Sequence, residues 1–347
     1  MSRRWIAAFF ALALAACGGG SENAAAPKGG GSALQGAGAT FPAPLYTRWA
    51  ADYRTGVGVS VNYQAIGSGG GVKQIKEGTV DFGASDKPLS GEELQAASLV
   101  QFPTVLGGVV PIVNLPNVQS GQLKLTGELL ADVFRGTVTK WNDPRLAAAN
   151  PGVALPNLPI TVVHRSDGSG TTFLFTTYLA AKSSTWKASP GAGDTLAWPV
   201  GIGGKGNDGV AAYVKQTPGA IGYVEYSYAR QNNMATASLQ NRDGQFAAPE
   251  PANFAAAAAG ADWSAAPGFY VLLIDQPGAN TWPISGATFI LVRKGGDAAK
   301  NAQTTKFFDW AFANGDAAAN DLGYVPLPAN VKDLVRAAWA KELAAAS

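Results

Sequence analysis

Three short segments of this 347-residue chain combine glycines with hydroxyl residues in a way that suits anion binding. They are Gly36-Ala37-Gly38-Ala39-Thr40-Phe41-Pro42, Gly67-Ser68-Gly69-Gly70-Gly71 and Arg165-Ser166-Asp167-Gly168-Ser169-Gly170-Thr171-Thr172. Each reads as a strand, a Gly-rich turn and a helix, with Ser or Thr as the candidate N-cap. The first amides of a helix have no intrahelical acceptor, and the helix dipole adds partial positive charge there, so a negative ligand is favoured. Glycine lets the backbone come close to that ligand. Pro42, near the first helical position, supports a helix starting just after the first turn. One such turn is most often only a capped helix; three in one chain point to an anion site. In the third, Arg165 stands two residues before Asp167, so the carboxylate could hold the guanidinium in place. A surface ion pair beside a turn is the plainer alternative.

Other chemistries fit less well. Gly201-Ile202-Gly203-Gly204-Lys205-Gly206 matches the dinucleotide GxGxxG spacing, but it follows Trp198-Pro199 and no clear strand. Lys205 is followed by Gly206, so there is no P-loop. A serine hydrolase needs a base, and the single histidine, His164, sits beside Arg165 in an expected strand. Neither Ser68 nor Ser169 lies in a GxSxG elbow, because Ile66 and Asp167 occupy its first position. One His also excludes a multi-His metal site, and one Cys excludes an internal disulfide. Asp81, Asp86 and Asp167 have no second histidine to join them in metal-assisted phosphatase chemistry. We therefore expect no metal, no cofactor and no catalytic residue.

The elements that must position these turns follow from the apolar pattern. With 47% hydrophobic and 14% charged residues the chain is globular, and its length suits about two domains. Short Val-, Ile- and Phe-rich runs alternate with longer amphipathic ones, which indicates α/β layers. Strands are expected at 57–65, 105–113, 160–164, 221–223 and 287–294. Helices are expected at 43–54, 70–77, 127–134, 171–179, 210–216, 304–314 and 330–345, with 255–259 as a further helix face. In the last full helix, Val331, Leu334, Val335, Ala338 and Trp339 recur at helical spacing and read as core.

Arg3 and Arg4 contribute two of the 26 positive charges, so the rest of the chain balances 24 against 24 acidic residues. Such neutrality argues against a nucleic-acid partner, which would call for a basic surplus. The same two arginines precede an apolar stretch over residues 5–16, the layout of an export signal too short to span a bilayer. The sole thiol, Cys17, closes Leu14-Ala15-Ala16-Cys17, a lipoprotein cleavage box; ordinary cleavage after Ala13-Leu14-Ala15 is the alternative. Residues 1–16 are thus expected to be a lipoprotein signal peptide, Cys17 the lipidation site, and 17–33 a flexible tether with no large apolar side chain over 18–32. The protein is expected to be exported to the periplasm or cell surface and anchored to a membrane.

With these residues in hand, the chain resembles the phosphate-binding proteins of bacterial high-affinity phosphate ABC transporters. The resemblance runs from about Leu34 to the C-terminus. It rests on Gly36-Ala37-Gly38-Ala39-Thr40-Phe41-Pro42-Ala43-Pro44, Asn62-Tyr63-Gln64 leading to Gly67-Ser68, Val80-Asp81-Phe82-Gly83-Ala84-Ser85-Asp86, Asp167-Gly168-Ser169-Gly170-Thr171, and Gly219-Ala220-Ile221-Gly222-Tyr223-Val224-Glu225-Tyr226. It implies a two-lobed periplasmic-binding-protein-like fold with a ligand cleft between the lobes and a two-strand hinge. The chain would cross near 101–109 and 283–288, giving one lobe from 34–104 plus 287–347 and another from 105–286. The first lobe would bind phosphate through Thr40, the backbone of Phe41, Ser68 and Asp86. The second would supply Arg165, Ser169, the amide of Gly170, and Thr171, with Asp167 pairing Arg165. Partners implied are inorganic phosphate and the permease subunits with their cytoplasmic ATPase; the protein would be a monomer. Many Gram-negative members are soluble in the periplasm, so Cys17 is a departure. An exported phosphatase or serine hydrolase is the enzyme alternative, and a surface adhesin the interaction alternative.

Overall fold

The computed structural model describes residues 33–343, so the leader, Cys17 and nearly all of the tether lie outside the described residues. Eight strands form the backbone of its main sheet: β1 (Leu34–Gly38), β2 (Val61–Ala65), β3 (Phe82–Ser85), β4 (Leu99–Val113), β5 (Thr161–Arg165), β6 (Ile202–Gly204), β7 (Ala220–Glu225) and β8 (Ser285–Arg293). Their order across the sheet is β2-β1-β3-β8-β4-β7-β5-β6. A small second sheet joins Phe246–Ala247, Ser238–Gln240 and Lys124–Leu125.

The sheet has two parallel ends and an antiparallel middle. β1 pairs in parallel with β2 and β3, and β5 pairs in parallel with β6 and β7. Parallel neighbours need crossover connections. The helices α1 (Ala43–Val57), α2 (Ser68–Glu77), α3 (Gly170–Lys182) and α4 (Gly206–Gln216) lie within these connections. Between the ends run β4 and β8. All 15 residues of β4 are buried; residues 99–108 pair with β8 and 109–113 with β7, so one strand serves both halves. The result is the expected mixed α/β, two-lobed fold, with β1, β2, β3 and β8 at one end of the sheet and β5, β6 and β7 at the other.

Each half has its own aromatic packing. In the first, Phe308 stands edge-on to Tyr46, Phe82 and Phe102, with centroids 5.4–5.7 Å apart. Phe308 belongs to α5 (Ala298–Asn314), and the C-terminal helix α6 (Ala329–Glu342) adds Trp339, 5.0 Å from Phe102. In the second, Phe175 stacks on Tyr223 at 4.1 Å.

Several expected boundaries move. Residues 57–60 are not strand: α1 runs to Val57, Gly58 at φ +81° closes it by donating to the Arg54 carbonyl, and β2 starts at Val61. β4 begins at Leu99 rather than 105, because Pro103 falls at a bulge where a missing N–H is tolerated. α3 continues to Lys182, α4 starts at Gly206, α5 starts at Ala298, and the alanine run belongs to the helix Pro251–Ala258. In α6, Val331, Val335 and Trp339 are buried as expected, but Leu334 is 39% exposed, one position off the buried stripe. No strand precedes the GxGxxG segment, as expected, although the segment itself contains a short one, β6.

Candidate functional site

The ends of β1, β2 and β5 turn directly into α1, α2 and α3, as the three segments suggested. The capping differs from expectation in two of them. Ser169 caps α3 by accepting from the Thr172 amide at 3.0 Å. At α1 and α2 the N-cap positions are held by Pro42 and Gly67, with no side-chain capping bond. Thr40 and Ser68 are therefore left to reach across the cleft. Ser68 Oγ accepts from the Gly170 amide at 3.0 Å and the Asp86 amide at 3.3 Å. Thr40 Oγ1 accepts from Asn207 Nδ2 at 2.6 Å and the Asn207 amide at 3.2 Å. The Gly69 amide donates to the Gly168 carbonyl at 2.9 Å, so glycines on both walls let the backbones meet.

Arg165 is gripped by Asp167 in a two-point pair, Nε to Oδ1 at 2.7 Å and Nη2 to Oδ2 at 2.6 Å. Their side chains are 1% and 13% exposed, so the surface-pair alternative does not hold. Burial pushes the Asp167 carboxyl up, but the Arg165 hydrogen bonds and charge and the Gly206 amide outweigh it and hold the carboxyl below its ordinary range. The Gly206 amide donates to Oδ1 at 3.1 Å. Arg165 Nη1 is buried and has no hydrogen-bond partner. A buried guanidinium nitrogen without an acceptor is costly, and such an atom calls for a ligand.

Asp86 is the second charged group of the site, 1% exposed. Burial pushes its carboxyl up to about 7, against the hydroxyl of Thr288, the charge of Arg165 and the hydroxyl of Thr171, which pull it back. Thr288 donates to Oδ1 at 2.9 Å and Thr171 to Oδ2 at 3.3 Å. The following turn is capped by Ser85, whose Oγ accepts from the Lys87 amide and donates to the Lys87 carbonyl. Behind the site, Tyr324 and Tyr228 donate to the carbonyls of Phe41 and Thr40, both at 2.6 Å.

The structure thus gathers Thr40, Phe41, Ser68, Asp86, Arg165, Asp167, Ser169, Gly170 and Thr171 in one buried region. Sequence reasoning missed Gly206, Asn207 and Thr288. The first two had a signal: Ile202 to Asn207 is a fourth strand, turn and helix start, set aside because it matched a cofactor pattern. Thr288 had none, standing 202 residues from Asp86. His164 Nδ1 lies 3.0 Å from the Arg165 carbonyl, its ring stacks on Trp198 at 4.7 Å, and burial holds its pKa down. Among the described residues there is no cluster of three or more metal-ligating side chains, and no helix long and apolar enough to cross a membrane.

Comparison with known proteins identifies the family. Residues 22–314 match the profile of the PBP superfamily domain. The Phosphate-binding protein PstS of Xylella fastidiosa (strain 9a5c) is 53% identical over 310 residues, 89% of this chain and 85% of that protein. The Phosphate-binding protein PstS of Haemophilus influenzae is 53% identical over 316 residues, 90% of this chain and 94% of that one. Among solved structures, a phosphate ABC transporter substrate-binding protein from Clostridium perfringens with bound phosphate is similar with a TM-score of 0.64 at 20% identity, covering 85% of this chain and all of that chain. The chain belongs to the PBP superfamily and, within it, to the family of the phosphate-binding proteins PstS.

Proposed function

We propose that this protein binds inorganic phosphate outside the cytoplasm and hands it to an ABC permease driven by a cytoplasmic ATPase. The observation that carries the reading is Arg165: a buried guanidinium, fixed at two nitrogens by Asp167, with Nη1 unpartnered. On this reading the hydroxyls of Thr40, Ser68, Ser169 and Thr171 and the amides of Phe41 and Gly170 would join it on the anion. A tetrahedral oxyanion taken out of water needs many donors at once, and neutral hydroxyls and helix N-termini supply them without excess positive charge. In this closed arrangement several of these groups bond to one another; an entering anion would take over those bonds.

Asp86 explains the choice of anion. Near neutral pH phosphate keeps at least one proton, which it can donate to Asp86 whenever that carboxyl is ionised, whereas sulfate has none to give. A site built around a required donor rejects the analogue lacking it by roughly 10⁴ to 10⁵. Rejection here works through repulsion as well as lost bonding.

On this reading residues 34–104 with 287–347 form one lobe and 105–286 the other; β4 changes partner from β8 to β7 after Gly108, within a few residues of that division. Opening and closing about β4 and β8 would signal occupancy to the permease. The N-terminal basic pair, apolar stretch and lone Cys17 support export and lipid anchoring. No enzymatic role is proposed, since the hydroxyls of Ser68 and Ser169 are engaged by the amides of Gly170 and Thr172.

Protein purified without added ligand should release about one phosphate per chain on denaturation, within the one-site stoichiometry that tight binding implies. Absence of released phosphate together with no calorimetric response to added phosphate would overturn the reading, as would turnover of a chromogenic phosphate ester.

A further inference from the structure

β4 and β8 join the two halves, and their pairing carries one irregularity. Thr288 of β8 stands opposite Val105, while the next residue, Phe289, stands opposite Pro103, so Thr104 is an extra residue in β4. A bulge of this kind re-aims side chains. Phe289 also pairs with Ser85 of β3, so Thr288 comes level with Asp86 just as β3 ends. Thr288 is then held at two points: Tyr46 Oη lies 2.6 Å from Thr104 Oγ1, which donates to the Thr288 carbonyl at 3.4 Å, and the separate Thr288 hydroxyl donates to Asp86 Oδ1 at 2.9 Å. Tyr46, Thr104, Thr288 and Asp86 are each no more than 2% exposed, so no bulk water competes for these bonds.

We propose that Thr288 is a specificity-setting positioning residue: its hydroxyl occupies Oδ1 of Asp86 as a donor and so keeps Asp86 facing the bound anion as an ionised acceptor. The inference rests on the reading of Asp86 as the phosphate-selective contact. A hydroxyl has one proton to give, and a carboxylate that receives it is favoured in its charged form. Without that donor Asp86 would take up a proton at higher pH. A protonated Asp86 can donate to an oxygen of sulfate, which removes the basis of rejection.

Other groups also act on Asp86. Arg165 on β5 and the hydroxyl and amide of Thr171 on α3 favour its ionised form, and Glu225 at the end of β7 is itself pushed up by the charge of Asp86. Tyr46 of α1, Tyr63 of β2 and Tyr228, from the helix Tyr226–Gln231, face it as phenols whose pKa values burial holds far above neutrality. They remain uncharged over the range in question, so the hydroxyl of Thr288 is a separable contribution.

The test measures sulfate competition against phosphate by calorimetry from about pH 5.5 to about pH 8.5, the range in which a carboxylate so placed titrates. Parent, Thr288→Val, Thr288→Ser and Asp86→Asn are compared at the same pH values, so that the ionisation of phosphate itself cancels. Thr288→Val should weaken phosphate binding by roughly 10- to 100-fold, the scale of one hydrogen bond to a charged group. More tellingly, the pH below which sulfate begins to compete should rise by about one unit or more relative to the parent. Thr288→Ser should restore the parent profile. An unchanged profile in Thr288→Val overturns the inference even if affinity falls, because packing loss alone does not move a titration. Asp86→Asn should admit sulfate at every pH. If it excludes sulfate as the parent does, the reading of Asp86 fails, and Thr288 loses its role with it. Should Thr288→Val not fold, Thr288→Ala against Thr288→Ser gives the same contrast between a lost and a kept hydroxyl.

Discussion

Arg165 and Asp167 behave as one unit because neither charge is tolerable alone in a dry site. A buried pair is weak evidence for stability, but removing one partner leaves an uncompensated charge. Arg165→Ala should therefore weaken phosphate binding by roughly 2 to 5 kcal/mol, the usual scale for truncating a buried hydrogen-bonded charge pair. Asp167→Ala should weaken it as well, by loosening the guanidinium, and the double variant should fall well short of the sum. Titration calorimetry on the four proteins measures this directly; strict additivity would mean that Asp167 acts on the ligand by some route other than Arg165.

Four helix starts, those of α1, α2, α3 and α4, converge on the site, and glycines are what allow them to come so close. Gly170, the first residue of α3, shows the tolerance involved: a Cβ there would lie 2.6 Å from the Asp86 Cβ and 2.6 Å from the Lys87 amide nitrogen. Gly170 belongs to the middle of the chain and Asp86 to the first half, so the added methyl would press the two walls apart rather than strain the helix. Gly170→Ala should consequently leave the melting temperature of the ligand-free protein nearly unchanged while lowering phosphate affinity by at least about 100-fold, as expected when donors are displaced by near 1 Å. An alanine variant with parental affinity would show that the closed approach of α3 is not needed for binding. Lys87 and Asp194 pair at 3.1 Å across the same boundary, but each is about one-third exposed, at 35% and 36%, so their contribution to closure is small and screened by salt.

At the scale of the whole molecule the two halves are also tied together by a buried acid. Glu225 ends β7, beside the last five residues of β4, and is fully buried. Its Oε2 accepts from the amide of Ser227 at 2.9 Å and from the Ser227 hydroxyl, which lies 2.9 Å from Tyr324 Oη; Oε1 is buried without a partner. Burial pushes this carboxyl up to about 8, against the Ser227 bonds and with help from the charge of Asp86. The folded value lies above the ordinary 4.5, so the folded state binds a proton that the unfolded chain gives up first. Stability from this group is complete below pH 4.5 and is lost as pH rises to about 8. Glu225→Gln should then gain on the parent by about 1 to 3 kcal/mol between pH 5 and pH 9 in urea unfolding, the sign following from linkage. A constant offset between the two proteins at all pH values would refute the titration of Glu225. At the other end of the chain, Cys17→Ser should release the protein from membranes into the soluble fraction, since one missing acyl attachment removes the anchor. Intact protein that is already soluble and starts at Ala16 would rule out the anchor.

What the sequence determined by itself was local. The turns before α1, α2 and α3 were readable because glycine, proline and hydroxyl residues act within a few positions, and the Arg165 and Asp167 spacing lies inside one turn. The α/β layering was readable for the same reason, from apolar periodicity. The motif resemblance then supplied the site residues that spacing could not rank. The tertiary structure alone decided which turns face one another, that β4 serves both halves, and that Thr288 and Asn207 reach Asp86 and Thr40 from 202 and 167 residues away. Such contacts depend on strand order and on a one-residue bulge, neither of which leaves a mark on residues as common as Thr and Asn. A capped helix and an anion-binding helix have the same local code; they differ in what the rest of the chain brings to the open end.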